Sequence, residues 1–403
     1  MRLRTIVVVA LAAITALALP VAADAGKRKK PPKVTVMTRN IYLGSDLEPA
    51  FIPPPANQIE FAEEAGKIYR NVQETNFIAR AKPLAKEIDD ANVDLVGMQE
   101  VALWRRDTAG APDGDATPAN EVVYDFLHQL RSELRERGLD YRVASVQEEA
   151  DLEFPLDFED DSAPDFAYDG RLTMRDVILA KDSRKLKTRN EESENYGVNA
   201  TITIDFPPAG AGPEDETVEF TRGYNSVDVV KKAKGKKKGK QGDASTAGKR
   251  KKVGRTKFRF VNTHLESVSA AVRAAQASEL VVQAADPPQG KVIVVGDLNS
   301  DPDDPTVQGP PFSPPGTPNA LAYQRFTDAG FVDVGVSENT CCHANDLLNP
   351  PPALFTSRID HILSKPAVER RAGALVGDDA SERTPTGLWP SDHGGQWATL
   401  KVK

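Results

Sequence analysis

KVIVVGDLNS, from Lys291 to Ser300, carries the pattern on which the fold turns. Lys291 to Val295 predicts a continuous apolar strand, too short for an ordinary helix. The run ends in Gly296-Asp297, and Asn299 follows two residues later. The same design recurs along the chain. Asn40 follows VTVMTR, Glu100 follows DLVGMQ, His264 follows RFVNT, and Asp392-His393 come just before the last apolar run. Asp360 interrupts the run SRIDHIL. Strand ends gather at one rim of a sheet, so these polar groups are expected to meet in space.

The segments between them mix helix and strand, which indicates a layered α/β protein. Val34 to Met37 predicts a strand. A helical region follows with Ile78, Leu84 and Ile88 on its apolar stripe, and Pro83 either interrupts it or begins a second helix. Residues 121–137 predict one amphipathic helix, with His128 on its surface. Residues 151–165 are acidic, carry scattered Phe and Pro, and read as a loop. Residues 217–230 predict one strand, and Phe258 to Thr263 its partner. Residues 269–285 predict a helix, and residues 357–363 and 396–402 the last two strands. No repeat is visible.

The N-terminus has Arg2 and Arg4, an apolar run from Ile6 to Leu19, then Ala23-Asp24-Ala25. That is the order of a secretory signal, and residues 1–25 are expected to be removed. Residues 26–33 read as a basic disordered arm and residues 34–403 as one domain. Export implies an extracellular protein; no later stretch predicts a transmembrane helix, and a monomer is expected.

Charge is uneven. Without the first 25 residues the chain holds 49 Lys and Arg against 58 Asp and Glu, a net of −9. Between Lys231 and Lys257 there are 13 Lys or Arg and only Asp243, a net of +12, so the rest carries −21. Residues 231–256 read as a disordered insertion in a hairpin connection, since nothing in them can be buried. Such a segment can contact a polyanion through phosphates. It enters the strand that carries His264 from the far end, with its base roughly 20 Å from that residue.

The recurring residue types suit one chemistry. A phosphodiester is anionic and repels hydroxide. A metal ion held by Glu and Asn oxygens neutralises the phosphate, and hard oxygen ligands suit Mg²⁺ or Mn²⁺ better than zinc. A histidine steadied by an aspartate moves protons at neutral pH. Asn donors can hold phosphate oxygens through the transition state. Each cluster alone is weak, because Asn and Asp-x-Asn are common turn formers. Two histidines, several carboxylates and two amides at successive strand ends are not.

In this order RNIYLG, VGMQEV, VNTHLE, VVGDLNS, SRIDHI and SDHGG resemble the endonuclease/exonuclease/phosphatase superfamily, from Asn40 to the C-terminus. The resemblance implies a four-layer αββα sandwich of two packed β-sheets flanked by helices. It implies a phosphodiesterase acting on nucleic acid or a phospholipid head group, with a phosphomonoesterase or a catalytically silent binding protein as alternatives. By motif, Glu100 resembles the principal metal ligand with Asn40 beside it, and Asp392 a second ligand. Asp297 resembles the water-positioning base or a metal ligand, and Asn299 a phosphate contact. Asp360 resembles the carboxylate that orients His393, and His264 the second catalytic histidine. His264 points to the deoxyribonuclease and sphingomyelinase branches. RGYNSVDV, Arg222 to Val229, resembles a segment of bacterial members, with no role implied; Arg175 and Asp176 stand where a Gly-rich strand is usual.

Two features stay outside this scheme. Cys341 and Cys342 are adjacent, and a strained vicinal bridge, a pair of thiols and bonds to another chain all remain open. A soft-metal site at Cys341-Cys342-His343 is disfavoured by the bite of adjacent ligands. Trp389 either stacks on a substrate, enters a membrane interface or packs beside the site.

Overall fold

The computed structural model describes residues 31–107, 119–158, 168–204, 216–233, 254–284 and 290–402. The expected signal segment, residues 26–30 of the basic arm and residues 234–253 of the basic insertion lie outside them. The chain begins with β1 (Val34–Asn40), α1 (Gln58–Glu74), α2 (Phe77–Asp90), β2 (Leu95–Gln99), β3 (Leu103–Arg106) and β4 (Glu121–Asp125). It continues through α3 (Phe126–Glu136), β5 (Tyr141–Leu156), β6 (Tyr168–Lys181), β7 (Leu186–Asn195), β8 (Ala200–Ile204) and β9 (Glu216–Phe220). Next come β10 (Gly223–Lys232), β11 (Arg255–His264), α4 (Ala270–Ala284), β12 (Val292–Asp297), β13 (Val307–Gln308) and β14 (Thr317–Pro318). The last elements are α5 (Leu321–Asp328), β15 (Val332–Asp333), β16 (Asp360–Lys365), β17 (Glu369–Val376) and β18 (Gly395–Lys401).

Two mixed sheets carry the fold. One has the order β17-β18-β1-β2-β6-β3-β4, with β5 also paired to β6. The other has the order β15-β16-β12-β11-β10-β7. Alternation along the strands sorts residues to two faces. Val34, Val36, Leu95 and Ile178 of the first sheet pack against Phe258, Phe260, Ile293 and Val295 of the second. The opposite faces of the same strands take the helices. Met37, Val96 and Met98 meet residues of α1 and α2 such as Tyr69, Phe77 and Leu84. Val292 and Val294 meet Leu280 of α4 and Phe326 of α5. The layers run helix, sheet, sheet, helix. Gly97 marks how closely the sheets approach, because a Cβ there would strike Asn262 and Val295 of the facing sheet.

Each sheet holds one parallel pair at its centre. β1 and β2 run together with Asn40 opposite Gln99. β11 and β12 run together with His264 opposite Asp297, and β16 places Asp360 opposite Asp297 on the other side. Parallel neighbours end at the same rim, so this arrangement brings the polar ends together.

Several local expectations are corrected. Residues 121–125 form a strand, in which Tyr124 pairs with Trp104, and Asp125 then caps α3 by accepting from His128 N. The helix stripe of residues 121–137 fails at its start because Val122 faces out. Acidic residues 151–156 are strand, not loop. Asp151 and Glu153 alternate with buried Phe154 and Leu156, and Arg171 and Thr173 across the pair satisfy Asp151. Pro83 sits inside a continuous α2, and the break falls at Asn76, which turns left-handed and caps Ala79 N. Ile78 is exposed; the buried face of α2 includes Arg80 and Glu87. Residues 217–230 are two strands, not one.

β10 and β11 pair from Gly223 opposite His264 to Lys232 opposite Arg255. The insertion therefore leaves from the far end of its hairpin, about 30 Å from His264 at 3.4 Å per residue. No helix among the described residues is long and apolar enough to cross a membrane.

Candidate active site

The strand ends meet around a cavity of about 410 Å³ lined by Glu100, His264, Asp297, Asn299, Asp392 and His393, among others. Asn40 and Asp360 stand just behind it. All eight residues singled out in the sequence belong to this cluster.

Asn40 links the two sheets. Its Nδ2 donates to Glu100 Oε1 at 2.8 Å and to Asp297 Oδ2 at 3.2 Å. Glu100 Oε2 accepts from Leu43 N at 2.8 Å. Tyr42, Glu100 and Asn299 have φ of 60°, 58° and 48°, each shortly after a strand ends. Side chains rarely adopt this left-handed region, and holding one there costs about 1 kcal/mol or more. All three residues line the cavity. Asp297 Oδ1 accepts from Asn299 N at 2.8 Å, while Asn299 Nδ2 donates to Leu265 O at 2.9 Å.

Two histidines face one carboxylate oxygen. Asp297 Oδ2 lies 3.6 Å from His264 Nε2 and 3.7 Å from His393 Nε2. Their other ring nitrogens have opposite partners. His393 Nδ1 donates to Asp360 Oδ2 at 2.9 Å, because a carboxylate only accepts. His264 Nδ1 accepts from the Arg222 guanidinium at 2.9 Å, because arginine only donates. That fixes the proton of a neutral His264 on Nε2. The electrostatics agree. Burial, the Arg222 charge and His393 push His264 well below the usual histidine range. Burial would also lower His393, yet Asp360, Asp392 and Asp297 hold it well above that range. Burial lifts Asp297 to about 7 against the pull of His393, and Asp392 to about 6.

Several supporting residues were given no role by the sequence reading, Arg222, Arg175 and Asp176 among them. Arg222 also pairs with Glu149 at 3.3 Å, and both are buried. Burial lifts Glu149 to about 7 even beside that arginine. Asp176 is fully buried, with neither carboxylate oxygen hydrogen-bonded, and burial holds it well above the carboxylate range. Arg175 donates to Val101 O, Ala102 O and Asp125, which fastens the loop after Glu100. From the other side, buried Arg39 bonds Glu87 at 2.9 and 3.0 Å and also donates to His393 O. Arg80 donates to Ile41 O, Tyr42 O and Pro390 O. The signal for these was weak: charged residues interrupting an apolar helix stripe, and the unassigned arginine of RGYNSVDV.

Trp389 is a packing residue. It is fully buried, donates its indole N–H to Asn349 O and stacks on His343. His343 is held there with its Nε2 at Gly377 O, so it does not join the cysteines. Cys341 and Cys342 are disulfide-bonded to each other and stand instead beside His393.

The cavity has an apolar side made by Leu47, Phe51, Ile52, Ile202 and Phe220, and Asp46 and Glu48 join it at the rim. No curated protein matches the chain. Among solved structures, it is similar to an endonuclease/exonuclease/phosphatase family protein from Bacteroides thetaiotaomicron, at 15% identity and a TM-score of 0.49, covering 92% of this chain and 98% of that one. It is also similar to a mannosyl-6-phosphatase of the same species (17%, TM-score 0.45, 91% and 99% covered) and to TDP2 of D. rerio complexed with a single-strand DNA product (14%, TM-score 0.44, 91% and 98% covered). Residues 71–393 match the Endonuclease/Exonuclease/phosphatase family, and the chain belongs to that family of phosphoester hydrolases.

Proposed function

We propose that this protein is a secreted, divalent-metal-dependent phosphodiesterase. One observation carries the reading: two oppositely tuned imidazoles converge on Asp297 Oδ2 beside Glu100, whose Oε1 accepts from Asn40 Nδ2. Intact catalytic groups in an open cavity argue against a silent binding protein.

Glu100 and Asp392, with Asn40 beside them, are the residues that would hold Mg²⁺ or Mn²⁺. They fit such an ion. The two carboxylates offer hard oxygens, and Asn40 steadies Glu100 Oε1 through its Nδ2. Carboxylates lifted to about 6 at half-buried Asp392 and about 7 at buried Asp297 are short of positive charge, which a divalent cation supplies. Bound there, the ion would neutralise the phosphate and stabilise the leaving oxygen.

The remaining roles follow from protonation state. Asp297, titrating near neutrality, takes a proton from the attacking water. His393, charged and held by Asp360, gives its Nε2 proton to the leaving oxygen. His264, neutral with its proton on Nε2, donates a hydrogen bond to a phosphoryl oxygen, and Asn299 lies beside that path.

The apolar wall and acidic rim favour a phospholipid head-group diester over a nucleic acid strand. A polyanion would lie against Asp46 and Glu48, and the basic insertion starts at the other end of its hairpin. The test compares sphingomyelin vesicles with plasmid DNA, each with Mg²⁺ and with EDTA. Vesicle hydrolysis that stops in EDTA is expected. Cleavage that persists in chelator would sink the metal dependence, and cleavage of DNA alone would move the protein to the nucleases. Removal of metal should also lower the melting temperature more at pH 8 than at pH 5. Asp392 binds a cation only when ionised, above about 6. Secretion is checked by N-terminal sequencing of the exported chain, expected to begin near Gly26.

A further inference from the structure

Cys341 and Cys342 take no part in the chemistry above, yet both sulfurs stand at its proton carrier. Sγ of Cys341 lies 3.7 Å from His393 Nε2, and Sγ of Cys342 lies 4.0 Å from it. Both cysteines line the same cavity as His393. Cys341 is buried and Cys342 is exposed, so a solute reagent can reach the pair. The placement is held by the backbone. His343 N donates to Asp392 O at 2.7 Å and Gly394 N to Thr340 O at 2.6 Å, one contact on each flank.

We propose that Cys341 and Cys342, once reduced, form with His393 a site for one thiophilic d¹⁰ cation of the Zn²⁺ or Cd²⁺ class. The geometry and the ligand chemistry carry this together. Metal–sulfur bonds near 2.3 Å and metal–nitrogen bonds near 2.0 Å give tetrahedral S···N edges of about 3.5 Å and S···S edges of about 3.8 Å. The observed S···N separations are close to that, so His393 need hardly move, while the two sulfurs must part to reach the S···S edge once the bond between them is broken. Adjacent cysteines alone bite poorly, but a third ligand from a distant strand completes a face. Thiolates and imidazole are soft to borderline donors, unlike the oxygens of Asn40, Glu100 and Asp392, so the two sites select different ions.

The chemistry balances. Two small-molecule thiols reduce the Cys341–Cys342 disulfide, giving two cysteine thiols and one external disulfide. The cation then displaces the two thiol protons and the proton on His393 Nε2. A metal on Nε2 takes away the lone pair that carries the proton in hydrolysis. The oxidised pair leaves that nitrogen free. The inhibitory consequence rests on the role given to His393 above; the binding site does not.

The full-length mature chain is reduced with excess monothiol, desalted without oxygen and titrated with Cd²⁺ in excess Mg²⁺. Thiolate-to-cadmium absorption should saturate at one Cd²⁺ per chain, and the oxidised protein should give none. His393→Ala should weaken the affinity at least about tenfold. In parallel, equimolar Cd²⁺ should abolish hydrolysis by the reduced protein and spare the oxidised one. No thiolate band in the reduced protein, an equal band in the oxidised one, or equal affinity in His393→Ala would overturn the proposal. Absence of hydrolysis with the absorption titration intact would break the catalytic reading and leave this site standing.

Discussion

His264 and His393 are alike in everything except what stands behind them. His264 ends β11 and His393 stands just before β18, yet both are buried and both turn Nε2 toward the same oxygen of Asp297, at 3.6 and 3.7 Å. Behind His393 is a carboxylate, Asp360; behind His264 is a guanidinium, Arg222. One ring is therefore held charged and the other neutral at the same pH. A pair of identical groups becomes an acid and a neutral donor through one partner each, which is how one site runs both halves of a proton-transfer reaction.

The largest effect should come from the oxygen the two rings share. Asp297→Asn keeps an acceptor for Asn299 N but replaces the base with an amide. kcat/KM should fall by about 10³-fold or more, within the range for a lost general base. Steady-state kinetics with a folded variant decide it, and retention of a tenth of the activity would remove Asp297 from proton transfer. Asp360→Asn should rank second, with a loss of about 10²-fold at neutral pH. The pH limb that requires charged His393 should move to lower pH, since the largest charge holding it is gone. Stability gives a second reading. A raised histidine contributes fully below its ordinary value near 6.5 and loses that contribution as pH rises through its folded value. The stability deficit of Asp360→Asn should therefore be largest in mild acid and shrink in alkali.

Arg222→Met should cost less, about tenfold, because it removes a positioning residue and not a reacting group. Its signature is at His264. Without the arginine charge the imidazole should titrate closer to the ordinary range, visible by NMR. In the wild type, a depressed histidine gives its full contribution above about 6.5 and loses it as pH falls toward the folded value. That acid-side loss should be smaller in the variant. An unchanged His264 titration would mean that burial alone keeps it neutral.

How much of this was legible depended on distance along the chain. Apolar strands followed by a polar residue are local patterns, so Asn40, Glu100, His264 and Asp297 could be read directly. The pairing of His393 with Asp360 could be expected only from the resemblance of the motifs, because their meeting depends on sheet register. Arg222 escaped assignment for the same reason: nothing local says that Gly223 lies opposite His264. Buried Arg39, Glu87 and Arg80 were hidden by a reading that places charge outside. They are inside because they bond the loops that carry Asn40 and His393. The β5 strand was missed because its acidic residues find Arg171 across the sheet, a partner that composition does not show.

Asp176 sharpens the comparison with the smallest expected effect. It belongs to the His264 side, in a buried cluster with Glu149, within the field of the Arg222 charge. If it were ionised, it would share the Arg222 charge and the contrast between the histidines would depend on it. Its oxygens have no hydrogen-bond partner, and burial, reinforced by Glu149, favours the neutral acid against the pull of Arg222. Asn has the same shape and no charge. Asp176→Asn should change kcat/KM by less than about twofold at neutral pH, since an uncharged group replaces an uncharged group. A carboxyl raised in the folded state contributes fully below its ordinary value near 3.8 and loses that contribution as pH rises through the folded value. Asn cannot titrate, so the variant should gain on the wild type as pH rises, read from urea unfolding at pH 5 and pH 8. A variant as impaired as Arg222→Met, or less stable than the wild type at pH 8, would show Asp176 to be ionised. The neutral state of His264 would then be set by two opposed charges instead of one.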